Sequence, residues 1–195
     1  MPEFVFTEHF LEQGSHLIDS LSKKLMARKL LVGIAESCTG GLISALCTEF
    51  PGSSRWFGGG VTAYADAVKR TLLRVDPAVL TQFGAVSAPV VESMALGALN
   101  ALSVDISLAL TGIAGPEGGT KEKPVGSVWF ALAIRHPLTH PSLPLATGIG
   151  SALSKLRRFP GNRTQVRMAS VLSGLEAVDN LLEELEEMPH SPDSP

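Results

Sequence analysis

Three adjacent side chains able to act as nucleophiles, Ser37, Cys38 and Thr39, stand between a short apolar run and two glycines, Gly40 and Gly41. A hydroxyl or thiol at such a place, given a base, attacks an electrophilic carbon such as that of an amide or ester. The glycines let a ligand approach the backbone closely. A helix starting just beyond them offers amide N–H groups and the positive end of its dipole to an anion. The same residues also describe a plain N-capped helix behind a strand, so the turn by itself leaves both readings open. A second glycine-rich stretch, from Thr111-Gly112 to Gly118-Gly119-Thr120, follows another apolar run in the same manner.

Candidate bases are fewer. The five histidines, His9, His16, His136, His140 and His190, fall in terminal segments or in a proline-rich stretch, away from both glycine-rich loops. A serine here therefore has no evident histidine to activate it, and metal catalysis has little support. Lysine is the alternative base. Its ordinary pKa is about 10.4, and reaching about 7 by burial or a neighbouring cation corresponds to roughly 4 to 5 kcal/mol. Lys69, close to Tyr64 in an alanine- and glycine-rich stretch, is the lysine best placed for such surroundings. Neither loop reads Gly-x-x-x-x-Gly-Lys-Ser/Thr or Gly-x-Gly-x-x-Gly, which weighs against a nucleotide hydrolase or a dinucleotide enzyme.

The elements that would position these residues follow from hydropathy. Leu30 to Ala35 reads as a buried strand, and Leu42, Ala45, Leu46 and Phe50 recur at helical spacing up to Pro51-Gly52. Ahead of them, Leu17, Ile18, Leu21, Leu25 and Met26 mark a helix over Ser15 to Arg28, with residues 1–14 as a frayed lead from which Phe4, Phe6 and Phe10 are candidates to dock. Val61 to Tyr64 reads as a second strand and Ala65 to Leu73 as a short helix carrying Lys69. Asp76-Pro77 and Ser87-x-Pro89 open two more helices, ending near Phe83 and Leu102. Asp105 to Leu110 and Gly126 to Ile134 are further strands, His136 to Pro144 a loop, and Leu145 to Ile149 a last strand. A long helix beginning near Arg163 runs past Leu182, and residues 188–195 read as a disordered tail. Helices interleaved with strands predict an α/β fold, a three-layer α/β/α sandwich with a mixed, partly parallel sheet, as one domain over 15–187. In that architecture ligands gather outside the carboxyl ends of strands, making the two glycine-rich loops walls of one site.

Composition bounds the rest. The 195 residues suit one well-cored domain, and 45% hydrophobic with 18% charged residues fit a soluble globular enzyme. A net charge of -3 gives no pull toward nucleic acid. Cys38 and Cys47, too far apart along one helix for a disulfide, indicate a reducing compartment. No apolar run nears the roughly 20 residues of a membrane span, so no membrane partner is expected and the cytoplasm is the expected location.

Taken together, several motifs resemble one family. They are Ala35-Glu36-Ser37-Cys38-Thr39-Gly40-Gly41, Pro51-Gly52-Ser53-Ser54-x-Trp56-Phe57, Val61-x-x-Tyr64-x-x-x-x-Lys69, Gly84-Ala85-Val86-Ser87, Thr111-Gly112-Ile113-Ala114-Gly115-Pro116-x-Gly118-Gly119, Lys123-Pro124-Val125-Gly126 and Phe159-Pro160-Gly161-x-Arg163-x-x-Val166-Arg167. In this order they resemble the CinA C-terminal domain family, which includes stand-alone nicotinamide mononucleotide deamidases. The resemblance implies an amidohydrolase forming nicotinate mononucleotide and ammonia, with the nucleotide as its small-molecule partner; no metal or other cofactor is expected, and the long apolar helices make a homodimer the expected assembly. It implies Ser37 as nucleophile, Lys69 as base and Tyr64 beside them. Backbone N–H groups of Cys38, Thr39, Gly40 and Gly41 would stabilise an oxyanion, and Ser54, Thr111, Gly112 and Arg163 would contact substrate. Cys38 itself reads as a packed thiol, since nothing marks it as a thiolate. The alternative is a non-catalytic module that holds a phosphorylated metabolite for a partner in competence or damage response. One departure stands out: many relatives carry Ser-Asn-Glu after the tyrosine, where this chain has Ala65-Asp66-Ala67.

Overall fold

Which side of the sheet each residue faces decides the layers. The computed structural model describes residues 7–135 and 150–187. Its strands are β1 (Val32–Glu36), β2 (Phe57–Thr62), β3 (Ile106–Gly112), β4 (Ser127–Arg135) and β5 (Gly150–Arg158). Its helices are α1 (Glu8–Arg28), α2 (Leu42–Glu49), α3 (Asp66–Leu73), α4 (Pro77–Phe83), α5 (Ala88–Ala101) and α6 (Arg163–Glu187). The sheet order is β2-β1-β3-β4-β5. β2 and β3 flank β1 in parallel, whereas β4 and β5 continue the sheet antiparallel. This is the expected mixed α/β architecture.

Ile34, Leu108, Leu110 and Phe130 project into a core shared with α1, α2 and α6. Ala35, Ala109, Ala131 and Ala133 project the other way, into a core shared with α3, α4 and α5. Methyl-sized side chains on that face let α5 lie close, and the buried Ser107 hydroxyl donates to the Ala95 carbonyl of α5 at 2.7 Å. Period-two alternation thus separates a bulky face from a small one.

Three boundaries differ from the sequence expectations. α1 begins at Glu8 behind the N-cap Thr7, well inside the expected lead, because its buried stripe starts with Phe10 and Gly14 before reaching Ile18. A glycine within that stripe hides the periodicity. β2 covers Phe57–Thr62 rather than residues 61–64, so its glycines are strand and not loop. A Cβ at Gly58 would meet Val104 at 2.4 Å, and one at Gly60 would meet the Ser44 hydroxyl at 2.1 Å. Close packing, rather than a turn, requires glycine there. The last described strand is Gly150–Arg158, where no strand was expected. It is an edge strand whose Lys155 and Arg158 are exposed, so it lacks an apolar signature. The strand expected at 145–149, the loop at 136–144 and the tail at 188–195 lie outside the described residues.

α1 is fastened to α6 by polar contacts as well as by its core face. Lys24 Nζ donates to Asp179 and Glu183, each at 2.8 Å, and the Ser20 hydroxyl donates to Asp179 at 2.9 Å. Burial works against the Lys24 ammonium, but the two carboxylates outweigh it and hold its pKa above the ordinary 10.5. A pKa raised in the folded state stabilises fully below the unfolded value and is lost as pH rises through the folded one. Lys24→Met is therefore expected to lower the unfolding free energy by about 1 kcal/mol at pH 7. The difference should shrink as pH is raised past the ordinary 10.5 and the parent lysine deprotonates, read by urea denaturation at pH 7 and in that alkaline range.

Candidate active site

The turn after β1 is built on a buried carboxylate. Glu36, the last residue of β1, is wholly buried, and its Oε2 accepts from Thr39 Oγ1 at 2.7 Å, Gly41 N–H at 3.0 Å and Ile43 N–H at 3.1 Å. Its Oε1 accepts from Ser44 N–H at 2.9 Å and from the Ser44 hydroxyl at 2.8 Å. Gly41, the N-cap of α2, has no side chain to supply this function. Glu36 is thus the cap, reaching past the turn to amides that a helix start leaves open.

This corrects one sequence expectation. The positive end of α2 is filled by the chain's own carboxylate and is not open to an external anion. Gly40 N–H donates to the Ser37 carbonyl at 3.1 Å, and Ser37 N–H donates to Leu110 of β3 at 3.1 Å. Of the four amides from Cys38 to Gly41, that of Thr39 makes no hydrogen bond among the described residues and that of Cys38 meets only its own thiol.

Ser37 follows directly on β1, and its pairing with Leu110 sets it beside Thr111. Ala63 N–H, donating to the Glu36 carbonyl at 2.7 Å, brings the chain after β2 to the same end of the sheet. There Tyr64 leads into α3. The Lys69 side chain, 1% exposed, turns back so that Nζ donates to the Tyr64 carbonyl at 2.9 Å and to Asp66 Oδ1 at 3.3 Å. A cleft of about 200 Å³ is lined by Ser37, Cys38, Tyr64, Asp66 and Lys69 together with Ala85, Thr111, Gly112 and Arg163. Residues of five separate segments therefore converge at the carboxyl ends of β1 and β3.

Each residue singled out from the sequence has a definite place. The Ser37 side chain is almost covered yet reaches the cleft, and its hydroxyl makes no hydrogen bond among the described residues. Lys69 is not hydrogen-bonded to it in this resting arrangement. Tyr64 is 62% exposed, and it is its carbonyl, rather than its hydroxyl, that holds Lys69. Thr111 donates its hydroxyl proton to the Ala85 carbonyl at 2.9 Å, tying two of the lining segments together. Thr39, Gly40 and Gly41 belong to the turn but do not line the cleft. Ser54 is not brought to it: it is exposed in a short helical turn, Ser53–Arg55, before β2, at the opposite end of the parallel strands. Cys38 is 6% exposed, and burial pushes its thiol up to about 11, against a smaller opposing effect of its own backbone N–H. At neutral pH it is a protonated thiol and a poor nucleophile.

Sequence reasoning missed three participants: Glu36, Asp66 and Arg167. Arg163 and Arg167 lie one turn apart on α6, whose start is closed by a reciprocal pair in which Asn162 N–H donates to the Gln165 side chain and Gln165 N–H to that of Asn162. Arg163 Nη1 donates to the Gly115 carbonyl at 3.0 Å, and Arg167 Nη2 to the Thr39 carbonyl at 2.8 Å. The first turns of α6 therefore tie the two glycine-rich loops together. Among the described residues no cluster of His, Cys, Asp or Glu could hold a metal ion, and no helix is long and apolar enough to cross a membrane.

Comparison with known proteins adds to this picture. The family model for the CinA C-terminal domain matches residues 15–182. A CinA-like protein of Mycobacterium leprae is 41% identical over 92% of this chain, and one of Mycolicibacterium paratuberculosis 40% over 89%. The chain spans only 39% and 37% of the length of these two curated relatives. Among solved structures, the competence/damage inducible protein CihA of Agrobacterium tumefaciens is similar with a TM-score of 0.76 and 36% identity, over 92% of this chain and 98% of that one. A competence-damaged protein (CinA) superfamily member from Klebsiella pneumoniae gives a TM-score of 0.77 and 30% identity, over 87% and 98%.

The Glu36 network carries a direct expectation. Five donors lose their acceptor in Glu36→Ala, which should cost about 3 to 5 kcal/mol of unfolding free energy. Glu36→Gln, which keeps one oxygen, should cost about half as much. Unchanged denaturation midpoints in both variants would remove Glu36 as the cap of α2.

Proposed function

Since the chain belongs to the CinA C-terminal domain family, we propose that its cleft is the active site of an amidohydrolase that converts nicotinamide mononucleotide to nicotinate mononucleotide and ammonia. The observation that carries this reading is the convergence of Ser37, Lys69, Tyr64, Thr111 and Arg163 on one cleft. A serine hydroxyl with no competing hydrogen bond faces the same space as a buried amine, which is the pairing that amide cleavage requires when no histidine is at hand.

In this mechanism the carboxamide enters with its carbonyl carbon against Ser37. Lys69, in its neutral form, takes the hydroxyl proton as Ser37 Oγ bonds to that carbon. Resting-state spacing between such groups is commonly loose and tightens once substrate is bound. The oxyanion is met by the amides of Cys38 and Thr39, each worth on the order of 3 kcal/mol in the transition state if well aimed. Lys69 returns the proton to the departing nitrogen, the C–N bond breaks, and ammonia leaves an ester on Ser37. Water, deprotonated by Lys69, then attacks the ester and restores the serine. Arg163, an exposed residue of the cleft lining, pairs with the substrate phosphate, where a guanidinium makes a bidentate contact. The occupied end of α2 supports that assignment, because Glu36 leaves no anion site there. A place in the cytoplasm accords with two buried free cysteines.

The test is release of ammonia from nicotinamide mononucleotide by the purified protein. Ser37→Ala and Lys69→Ala are each expected to lower kcat by at least a thousandfold with little change in substrate binding, whereas Arg163→Ala should mainly raise KM, about tenfold or more. Cys38→Ala should lower kcat far less than Ser37→Ala. Nucleotide binding without ammonia release would instead favour a non-catalytic module.

A further inference from the structure

Asp66 lies in the Ala65-Asp66-Ala67 stretch that follows Tyr64, and the structure gives it a contact of its own. It is the first residue of α3, and its carboxylate is 59% exposed and lines the cleft that holds Ser37. One turn on, Lys69 is 1% exposed, and its Nζ has two acceptors, the Tyr64 carbonyl and Asp66 Oδ1. A lysine side chain has a four-carbon stem with several rotatable bonds, and a single acceptor leaves its amine free to swing about that contact. Two acceptors fix its direction. The carbonyl comes from the chain entering α3 and the carboxylate from its first turn, so both are set by the same short segment. Nζ has no third partner among the described residues, and Lys69 borders the cleft together with Ser37.

We propose that Asp66 is a positioning residue: together with the Tyr64 carbonyl it orients Lys69 Nζ toward the cleft, acting through the lysine and not on substrate. This rests on the amidohydrolase reading for its consequence in catalysis, but the orientation of Lys69 stands apart from that reading. A carboxylate at the first position of a helix also favours the helix dipole, and that role alone would change stability without touching Lys69.

Two measurements separate these. The first needs no activity: Lys69 is labelled with an acetylating reagent and followed by peptide mass spectrometry. In Asp66→Ala the amine loses one of its two holds, and labelling of Lys69 should rise several-fold. In Asp66→Asn an oxygen acceptor remains, and labelling should stay within twofold of the parent. The second is steady-state turnover of nicotinamide mononucleotide, where Asp66→Ala should lower kcat about tenfold with KM within twofold, and Asp66→Asn should recover most of it. Unchanged Lys69 labelling in Asp66→Ala, or equal defects in both variants accompanied by equal losses in melting temperature, would overturn the positioning role. A parent protein that releases no ammonia while the labelling pattern holds would overturn the amidohydrolase reading and leave the orientation of Lys69 standing.

Discussion

One buried carboxylate organises the functional end of this molecule. Glu36 draws five hydrogen bonds from a turn and a helix start that lie after it in the chain. A buried carboxylate without partners is costly, and one with this many donors is a strong local constraint. Because the donors come from Thr39, Gly41, Ile43 and Ser44, the constraint closes a tight loop around Ser37 and Cys38. The position of the serine is therefore set by electrostatics that never touch it. The same contact fills the end of α2 that would otherwise attract an anion.

Everything else at the site is arranged around that loop. The parallel pairing of β1 with β3 sets Ser37 beside Thr111, and the parallel pairing with β2 delivers Tyr64 and α3 to the same end. α6 reaches both glycine-rich loops through Arg163 and Arg167. Its long apolar face packs on the sheet, so its first turns are held firmly enough to act as a brace. The small-residue face of the sheet matters in the same way: it lets α5 sit close, and α3 packs on α5 in turn. A lysine on α3 is thereby buried without being forced into the apolar core.

How much of this could be read from residues alone depended on whether the cause was local. Leu30 to Ala35, Asp105 to Leu110 and Gly126 to Ile134 announced buried strands because burial on both faces leaves unbroken apolar runs. That the loops after Ala35 and Leu110 lie together was legible once those two runs were taken as parallel strands, whereas the placing of Arg163 with them came from the family resemblance and not from the runs. What escaped had causes elsewhere in the fold. The glycines of β2 answer to Val104 and Ser44, the polar β5 is an edge, and Arg167 meets Thr39 across 128 positions of chain. Glu36 looked like the end of a strand, since its partners appear only when the turn folds back. Ser54 sat in a motif of the family yet lies at the far end of the sheet from the cleft.

The central claim is that the alcohol in the Glu36-closed turn forms a covalent bond to the substrate acyl group. Rapid acid quench of the protein during turnover, followed by mass spectrometry of the peptide spanning that turn, tests it most directly. The account predicts an added mass equal to the nicotinate mononucleotide acyl group, attached at Ser37. Ammonia release with no adduct there, or with the added mass on Cys38, would contradict it.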